Sequence, residues 1–151
     1  MRNLIGLTVV IATSLPAGAM ASNRCPANQD TIFACSTTNN KQVRVCDGGD
    51  TIGYTFGRPG QPPEMALRVP RQRTSTWQWP GMGYTATYSA TIPNGKTRYV
   101  VWSTTERGSD PVQSSSGIAV EVNGKQVANI LCLQDDTLLD NLFDIDLPRE
   151  N

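Results

Sequence analysis

The chain contains no histidine. Histidine is the usual base in Ser-His-Asp and Cys-His nucleophilic catalysis and a common ligand of zinc. Its absence excludes both catalytic arrangements and every histidine-ligated metal site. No phosphate-cradling glycine loop precedes a helix pattern either. We therefore predict a protein that is not an enzyme and that needs no cofactor and no metal.

The chain also lacks an excess of charge of one sign, with 13 Lys+Arg against 13 Asp+Glu. Proteins that bind nucleic acids or anionic membranes usually carry a basic excess. We therefore predict neither a nucleic acid nor a membrane as a partner. The apolar run Leu4 to Leu15 is too short to span a bilayer, because a spanning helix needs about 20 residues.

That apolar run has the features of an export signal. It follows the positive charge of Arg2 and precedes Ala19-Met20-Ala21, which has the A-x-A form of a cleavage site. We predict that residues 1–21 are a cleaved signal peptide and that residues 22–151 form a single disulfide-bonded β domain. The predicted location is the periplasm or the extracellular medium.

All four cysteines, Cys25, Cys35, Cys46 and Cys132, lie after the predicted cleavage site. In an oxidising compartment an even number of cysteines indicates disulfides, and four cysteines allow three pairings. We favour Cys35–Cys132 with Cys25–Cys46, because this pairing ties the first strand to the last. Zinc is the competing interpretation, but the spacings contain no C-x₂-C pair.

Short alternating segments separated by turn residues predict the fold. Tyr84–Ile92 alternates strictly between two sets of side chains, and Thr97–Thr104 is rich in β-formers. Asn123-Gly124 between two apolar runs is a strong hairpin signal. We predict an all-β fold, an antiparallel β-sandwich or flattened barrel of about eight strands.

The C-terminal segment changes period. Apolar residues recur there at spacings of three and four, after Asp135 or Asp136 as a capping residue. These residues are Leu138, Leu139, Leu142 and Phe143. We predict a short C-terminal helix, with an extended tail as the alternative. Its aspartates are expected to be solvated, with calcium binding or glycosidase chemistry as alternatives.

Three surface features are candidates for binding. Ser114–Gly117 is predicted to be a flexible, exposed tip at the start of a late hairpin. Six aromatic residues could form a platform that stacks on a sugar, although strand aromatics are more often packed: Trp77, Trp79, Tyr84, Tyr88, Tyr99 and Trp102. Trp77 and Trp79, beside a Pro-Gly turn, are the favoured pair. Arginines around Pro70 could face an acidic partner, because guanidinium groups pair well with carboxylates.

The chain resembles the bacterial periplasmic lysozyme inhibitors, most closely those that act on invertebrate-type lysozymes. The resemblance is carried by Phe33-x-Cys35, by Cys132 in a late strand, and by Ser116-Gly117. It implies that a Ser-Gly loop enters the lysozyme cleft and hydrogen-bonds to the catalytic carboxylates. Ala119 stands where the family motif has a tyrosine. Either another aromatic residue takes that role, or the inhibitory activity is altered or lost.

The expected function is therefore that of an exported lysozyme inhibitor. The residues expected at its contact are Ser115, Ser116, Gly117, Arg107, Arg71 and Arg73. The alternative is a carbohydrate-binding or cell-surface adhesion module built on Trp77 and Trp79. A homodimer is a further expectation, because pairing is one way to cover exposed edge strands.

Overall fold

The structure, a computed structural model, describes residues 23–150. The predicted signal peptide, residues 1–21, lies outside the described residues. The fold is all-β, with ten strands in two antiparallel five-stranded sheets. The strands are β1 (Asp30–Ser36), β2 (Gln42–Asp47), β3 (Thr51–Gly57), β4 (Met65–Pro70), β5 (Ser75–Gln78), β6 (Thr85–Asn94), β7 (Thr97–Glu106), β8 (Gln113–Val122), β9 (Lys125–Leu131) and β10 (Leu139–Asp140).

The sheets have the orders β10-β1-β2-β3-β4 and β5-β6-β7-β8-β9. Apart from β10, neighbours in a sheet are neighbours in sequence, as expected where short turns join antiparallel strands. The predicted hairpin at Asn123-Gly124 is confirmed: these residues have φ values of 52° and 76°. Left-handed backbone at both central positions matches the twist of the paired strands.

Both sheets contribute to one apolar core. Phe33 and Ile52 come from the first sheet, and Ile92 and Ile118 come from the second. This arrangement is sandwich-like, because the apolar faces of two sheets share one interior. A single 3₁₀ turn, Arg71–Arg73, connects β4 of the first sheet to β5 of the second.

Two tyrosines meet between the sheets. Tyr54 of β3 and Tyr99 of β7 stack with their ring centroids 4.9 Å apart. Burial, and to a lesser extent the neighbouring Tyr99, raises the pKa of the Tyr54 hydroxyl well above its ordinary value. This contact shows that the inner faces of the sheets pack directly against each other.

The prediction of a short C-terminal helix is wrong. Leu139 and Asp140 instead form β10, which pairs with Phe33 and Ala34 of β1. An extended tail satisfies backbone groups along the edge of β1, which a helix would leave unpaired. Two tail leucines, Leu142 and Leu147, are buried in the core at 0% and 6% exposure.

The tail then reaches β5, the edge strand of the second sheet. The Thr76 N–H donates to the Pro148 carbonyl at 2.8 Å, and the Glu150 N–H donates to the Thr76 carbonyl at 2.9 Å. The Glu150 carboxylate accepts hydrogen bonds from the Ser75 and Thr91 hydroxyls, both at 2.8 Å. One segment therefore covers one edge of each sheet.

The favoured disulfide pairing is confirmed, with bonds Cys25–Cys46 and Cys35–Cys132. Two disulfides fit an oxidising compartment. In the part of the chain that the structure describes, no helix is long and apolar enough to cross a membrane.

The two disulfides should differ in their contribution to stability. Cys35 and Cys132 are 97 residues apart, whereas Cys25 and Cys46 are 21 apart. Because the longer closed loop restricts the unfolded chain more, we expect removal of Cys35–Cys132 to cost about 1 kcal/mol more. Urea unfolding of the two double-alanine variants measures this difference; equal losses, or a larger loss for Cys25–Cys46, would contradict it.

Candidate functional site

Ser116 and Gly117 do not form an exposed loop. Both lie inside β8, where Ser116 is opposite Ser103 and Gly117 is opposite Trp102. The Ser116 side chain is only 2% exposed, and its hydroxyl accepts a hydrogen bond from the Gln134 amide at 2.9 Å. The prediction of a flexible tip at Ser114–Gly117 is therefore wrong, because β7 pairs with the whole segment and Gly117 also pairs with Leu131 of β9.

Close packing explains the glycine. A Cβ atom at Gly117 would lie 2.5 Å from the Ile130 carbonyl oxygen and 3.1 Å from the Trp102 ring. Real Cβ atoms do not approach backbone so closely, so this position requires a residue without a side chain. Gly117 therefore serves the contact between strands and gives no flexibility to a loop.

The predicted arginines do not gather around Ser116. Arg71 is a structural residue: its guanidinium pairs with Asp47 and donates to the carbonyls of Gly49, at 2.6 Å, and Asp146. It therefore ties the turn after β2 to the tail.

Arg73 and Arg107 are both exposed but lie at opposite ends of the second sheet. Arg73 precedes β5, which starts opposite Thr91, whereas Arg107 follows Glu106, which pairs with Thr85. Thr85 and Thr91 are six residues apart on β6, which corresponds to about 20 Å between the two ends of the strand. Of the three predicted arginines, only Arg107 lies beside a surface with the features of a binding site.

That surface is an exposed aromatic cluster at one end of the second sheet. Its residues come from the β5–β6 connection, the β7–β8 connection and the tail. We call it the aromatic end and define it as Trp79, Met82, Tyr84, Arg107 and Phe143. Three of these side chains are largely in solvent: Met82 is 76% exposed, Tyr84 is 78% exposed and Phe143 is 73% exposed.

Hydrogen bonds fix the connections that carry the aromatic end. The Trp79 indole N–H donates to the Met82 carbonyl at 2.7 Å, and the Arg107 N–H donates to the Tyr84 carbonyl at 2.7 Å. The Arg107 guanidinium lies over the Trp79 ring, 4.9 Å from its centroid. The two connections are therefore joined to each other and present their side chains from a fixed base.

The tail places Phe143 beside this base. Its ring packs edge-on against Tyr88, with centroids 5.5 Å apart. The Gln78 side chain holds the tail on both sides of Phe143, donating to the Leu142 carbonyl at 2.7 Å and accepting from the Asp144 N–H at 2.8 Å. Leu142 fills the core, so the next residue along the chain points outward.

A shallow hollow of about 440 Å³ opens beside Tyr84 and is lined also by Thr85, Glu106, Gly108 and Ser109. A larger hollow of about 620 Å³ lies between the N-terminal lead and the tail. Its polar lining serves the fold, since the Asn141 amide there donates to the Thr31 carbonyl at 2.8 Å. The aromatic end is therefore a protruding surface and not a deep pocket.

Asp135, the first of the late aspartates, accepts hydrogen bonds from Thr137. Hydrogen bonds from the Thr137 hydroxyl and the Thr137 N–H lower the pKa of the Asp135 carboxyl. A glycosidase acid needs the opposite shift, because it must stay protonated near neutral pH. Among residues 23–150, no group of three or more His, Cys, Asp or Glu side chains could hold a metal ion.

Sequence reasoning did not single out Met82 or Phe143 as binding residues. It placed Phe143 on the apolar face of a helix, and it placed Tyr84 both in an alternating strand and among the aromatics that could stack on a sugar. The segment Pro80-Gly81-Met82-Gly83 could have indicated that Met82 is exposed, because an apolar residue inside a glycine-rich turn has few neighbours to bury it.

No protein-family model matches this chain, and no curated protein or solved structure matches it either. Inhibition of a lysozyme therefore stays a prediction that rests on the resemblance of its motifs.

Neighbouring serines provide a sharp test of the burial of Ser116. We expect Ser116→Glu to lower the free energy of unfolding by about 3 kcal/mol or more, because it forces a larger, charged side chain into a closed space. Ser115→Glu is the matched control: Ser115 is exposed, so stability should hardly change. Equal unfolding midpoints for the two variants would show that Ser116 is accessible after all.

Proposed function

We propose that this protein is an exported, non-catalytic inhibitor, located in the periplasm or secreted, that binds a lysozyme through the aromatic end. The observation that carries the proposal is the exposure of Met82, Tyr84 and Phe143, all above 70%, on connections held by hydrogen bonds. Exposed apolar patches of this kind mark interaction sites in soluble proteins.

The composition of the aromatic end fits a protein partner. Tryptophan, tyrosine and arginine dominate the energetically important residues of protein interfaces, and methionine and phenylalanine are enriched there. A fixed surface also loses little conformational freedom on binding, which favours affinity.

Lysozyme is the proposed target because of the resemblance carried by Phe33-x-Cys35 and Cys132. The aromatic end takes the inserting role that the resemblance assigns to a Ser-Gly loop, since Ser116 and Gly117 belong to β8. Tyr84 supplies an exposed aromatic residue, which the chain lacks at Ala119. The Arg107 guanidinium is exposed beside it and would pair with carboxylates of the lysozyme cleft.

The proposal also includes a homodimer, formed by pairing of uncovered edge strands. The tail covers β1 and β5, whereas β4 and β9 are the outer strands on the other sides of their sheets. Unpaired backbone groups on such strands can pair with a second copy.

Inhibition of cell-wall lysis tests the proposal. We expect the mature protein to inhibit at least one lysozyme of the invertebrate, chicken or goose type at micromolar concentration. Tyr84→Ala and Met82→Ala should each raise the inhibition constant about tenfold or more, because each removes an exposed anchor. Arg107→Ala should weaken inhibition more at low salt than at high salt, because salt screens the electrostatic contribution of the arginine.

Val127→Ala is the matched control, because Val127 is 60% exposed but lies on β9, outside the aromatic end. It should inhibit like the unmodified protein. If no lysozyme of any type is inhibited at micromolar protein, the proposed target is wrong. If Tyr84→Ala and Val127→Ala inhibit equally well, the aromatic end is not the contact surface.

A further inference from the structure

The outer face of the second sheet carries a row of five residues that run directly across its strands. The pairing is continuous from β5 to β9, residue opposite residue. The row consists of Trp77, Ser89, Trp102, Gly117 and Leu131, and we call it the tryptophan row. Directly paired residues point to the same face of a sheet. The row therefore lies on the face opposite to the core, because the flanking residues in β6, β7 and β8 contribute to the core.

The Trp102 side chain extends across the neighbouring strands of the sheet. The side chain starts on β7 and crosses β8, where the ring sits 3.1 Å from the position that a Gly117 Cβ would take. It ends at β9, where its indole N–H donates to the Asn129 side-chain oxygen at 3.1 Å. The edge of the indole that carries the N–H therefore lies over β8 and β9, and the residue as a whole is partly exposed to solvent. Gly117 acts here as a positioning residue, because any side chain would lift the ring.

Trp77 lies two strands away in the same row, on the edge strand β5. It is 43% exposed. Ser89 stands between the two tryptophans and is only 6% exposed although it is on the outer face. The two rings flank a small residue, and two strand spacings put their attachment points about 10 Å apart.

The surroundings of the tryptophan row are polar but uncharged. On one side lie the Thr87 and Thr104 hydroxyls, 3.1 Å apart, and the exposed Ser115. On the other side lies Asn129. These groups can donate and accept hydrogen bonds with a ligand that carries hydroxyls.

The nearest charges on this face are paired with one another. Arg98 contacts Glu121 at 3.5 Å and Glu150 at 3.3 Å. Glu106 is also on this face and exposed, four residues beyond Trp102 on β7. The strand residues directly beside the tryptophan row carry no charge, and a neutral ligand complements them.

We infer that the tryptophan row is a second binding site, distinct from the aromatic end, and that its ligand is a neutral, linear, β-linked glycan. The flat faces of pyranose rings expose C–H groups that pack on aromatic rings through dispersion and weak C–H contacts. An extended β-linked chain presents such faces at successive positions, so it can cover Trp77 and Trp102 at once. An α-linked glycan is helical or flexible and does not hold successive ring faces in one plane, so it does not cover both rings at once.

Binding to cellulose and chitin, with dextran as the α-linked comparison, tests the inference. We expect the mature protein to sediment with cellulose or chitin, and the matching soluble hexasaccharide to change its tryptophan fluorescence. Trp77→Ala and Trp102→Ala should each raise the dissociation constant about tenfold or more. Circular dichroism of each variant checks that the fold is kept, and Trp102→Phe, which keeps a ring, should retain more binding than Trp102→Ala.

Tyr84→Ala is the control from the aromatic end and should bind glycan like the unmodified protein. Conversely, Trp77→Ala should inhibit lysozyme normally, so failure at one site is distinguishable from failure at the other. The inference is overturned by an absence of binding to both polysaccharides, by equal binding to dextran, or by unchanged binding of the folded Trp77→Ala/Trp102→Ala variant. Loss of lysozyme inhibition in Trp77→Ala with no glycan binding would assign the row to a protein partner instead.

Discussion

The junction between the end of β1 and the end of β9 determines much of this structure. The Leu133 N–H donates to the Ser36 carbonyl at 2.8 Å, and the Thr38 N–H donates to the Leu131 carbonyl at 2.9 Å. The Cys35–Cys132 disulfide fixes the same point covalently and encloses most of the strands between its ends. Most strands after β1 pair with their neighbours in sequence, so these pairings do not fix how the two sheets are placed against each other. The junction contributes to that placement, because it joins segments that are far apart in sequence.

Both candidate sites depend on that junction. The Cys132 N–H donates to the Ser116 carbonyl at 2.9 Å, so the junction joins β8 at the residue before Gly117, which is in contact with Trp102. From the same point the tail starts its path along β1. Because Leu142 is then drawn into the core, Phe143 is turned outward to the aromatic end. The disulfide and the hydrogen bonds at this junction thus help to position both the tryptophan row and the aromatic end.

Local sequence was sufficient where a residue's role depends on its own backbone. The hairpin at Asn123-Gly124 was predicted correctly because left-handed backbone is a local requirement. The strand over Thr85–Ile92 was predicted correctly because alternation reports directly on a two-sided strand, although the prediction also included Tyr84, which precedes β6. Prediction from local sequence failed where one residue pattern is compatible with two different structures. A glycine such as Gly117 permits flexibility and also permits close approach, and only the Ile130 carbonyl across the sheet decides between them. Spacings of three and four in the tail fit a helix, but they also fit an extended segment that covers an open strand edge. Which strand edge lies open is a property of the whole fold.

The two surfaces differ in the physics of what they can bind. The aromatic end protrudes, carries a cation and exposes side chains singly, which suits insertion into a concave partner. The tryptophan row is flat, is uncharged around its rings and lies on regular strands, which suits an extended ligand. A domain that held a wall glycan on its flat face would raise the local concentration of its protruding end where lysozymes act. Linked sites strengthen overall binding through effective concentration without any new contact. With both proposed sites engaged, a modest affinity at each surface would be enough for tight overall binding.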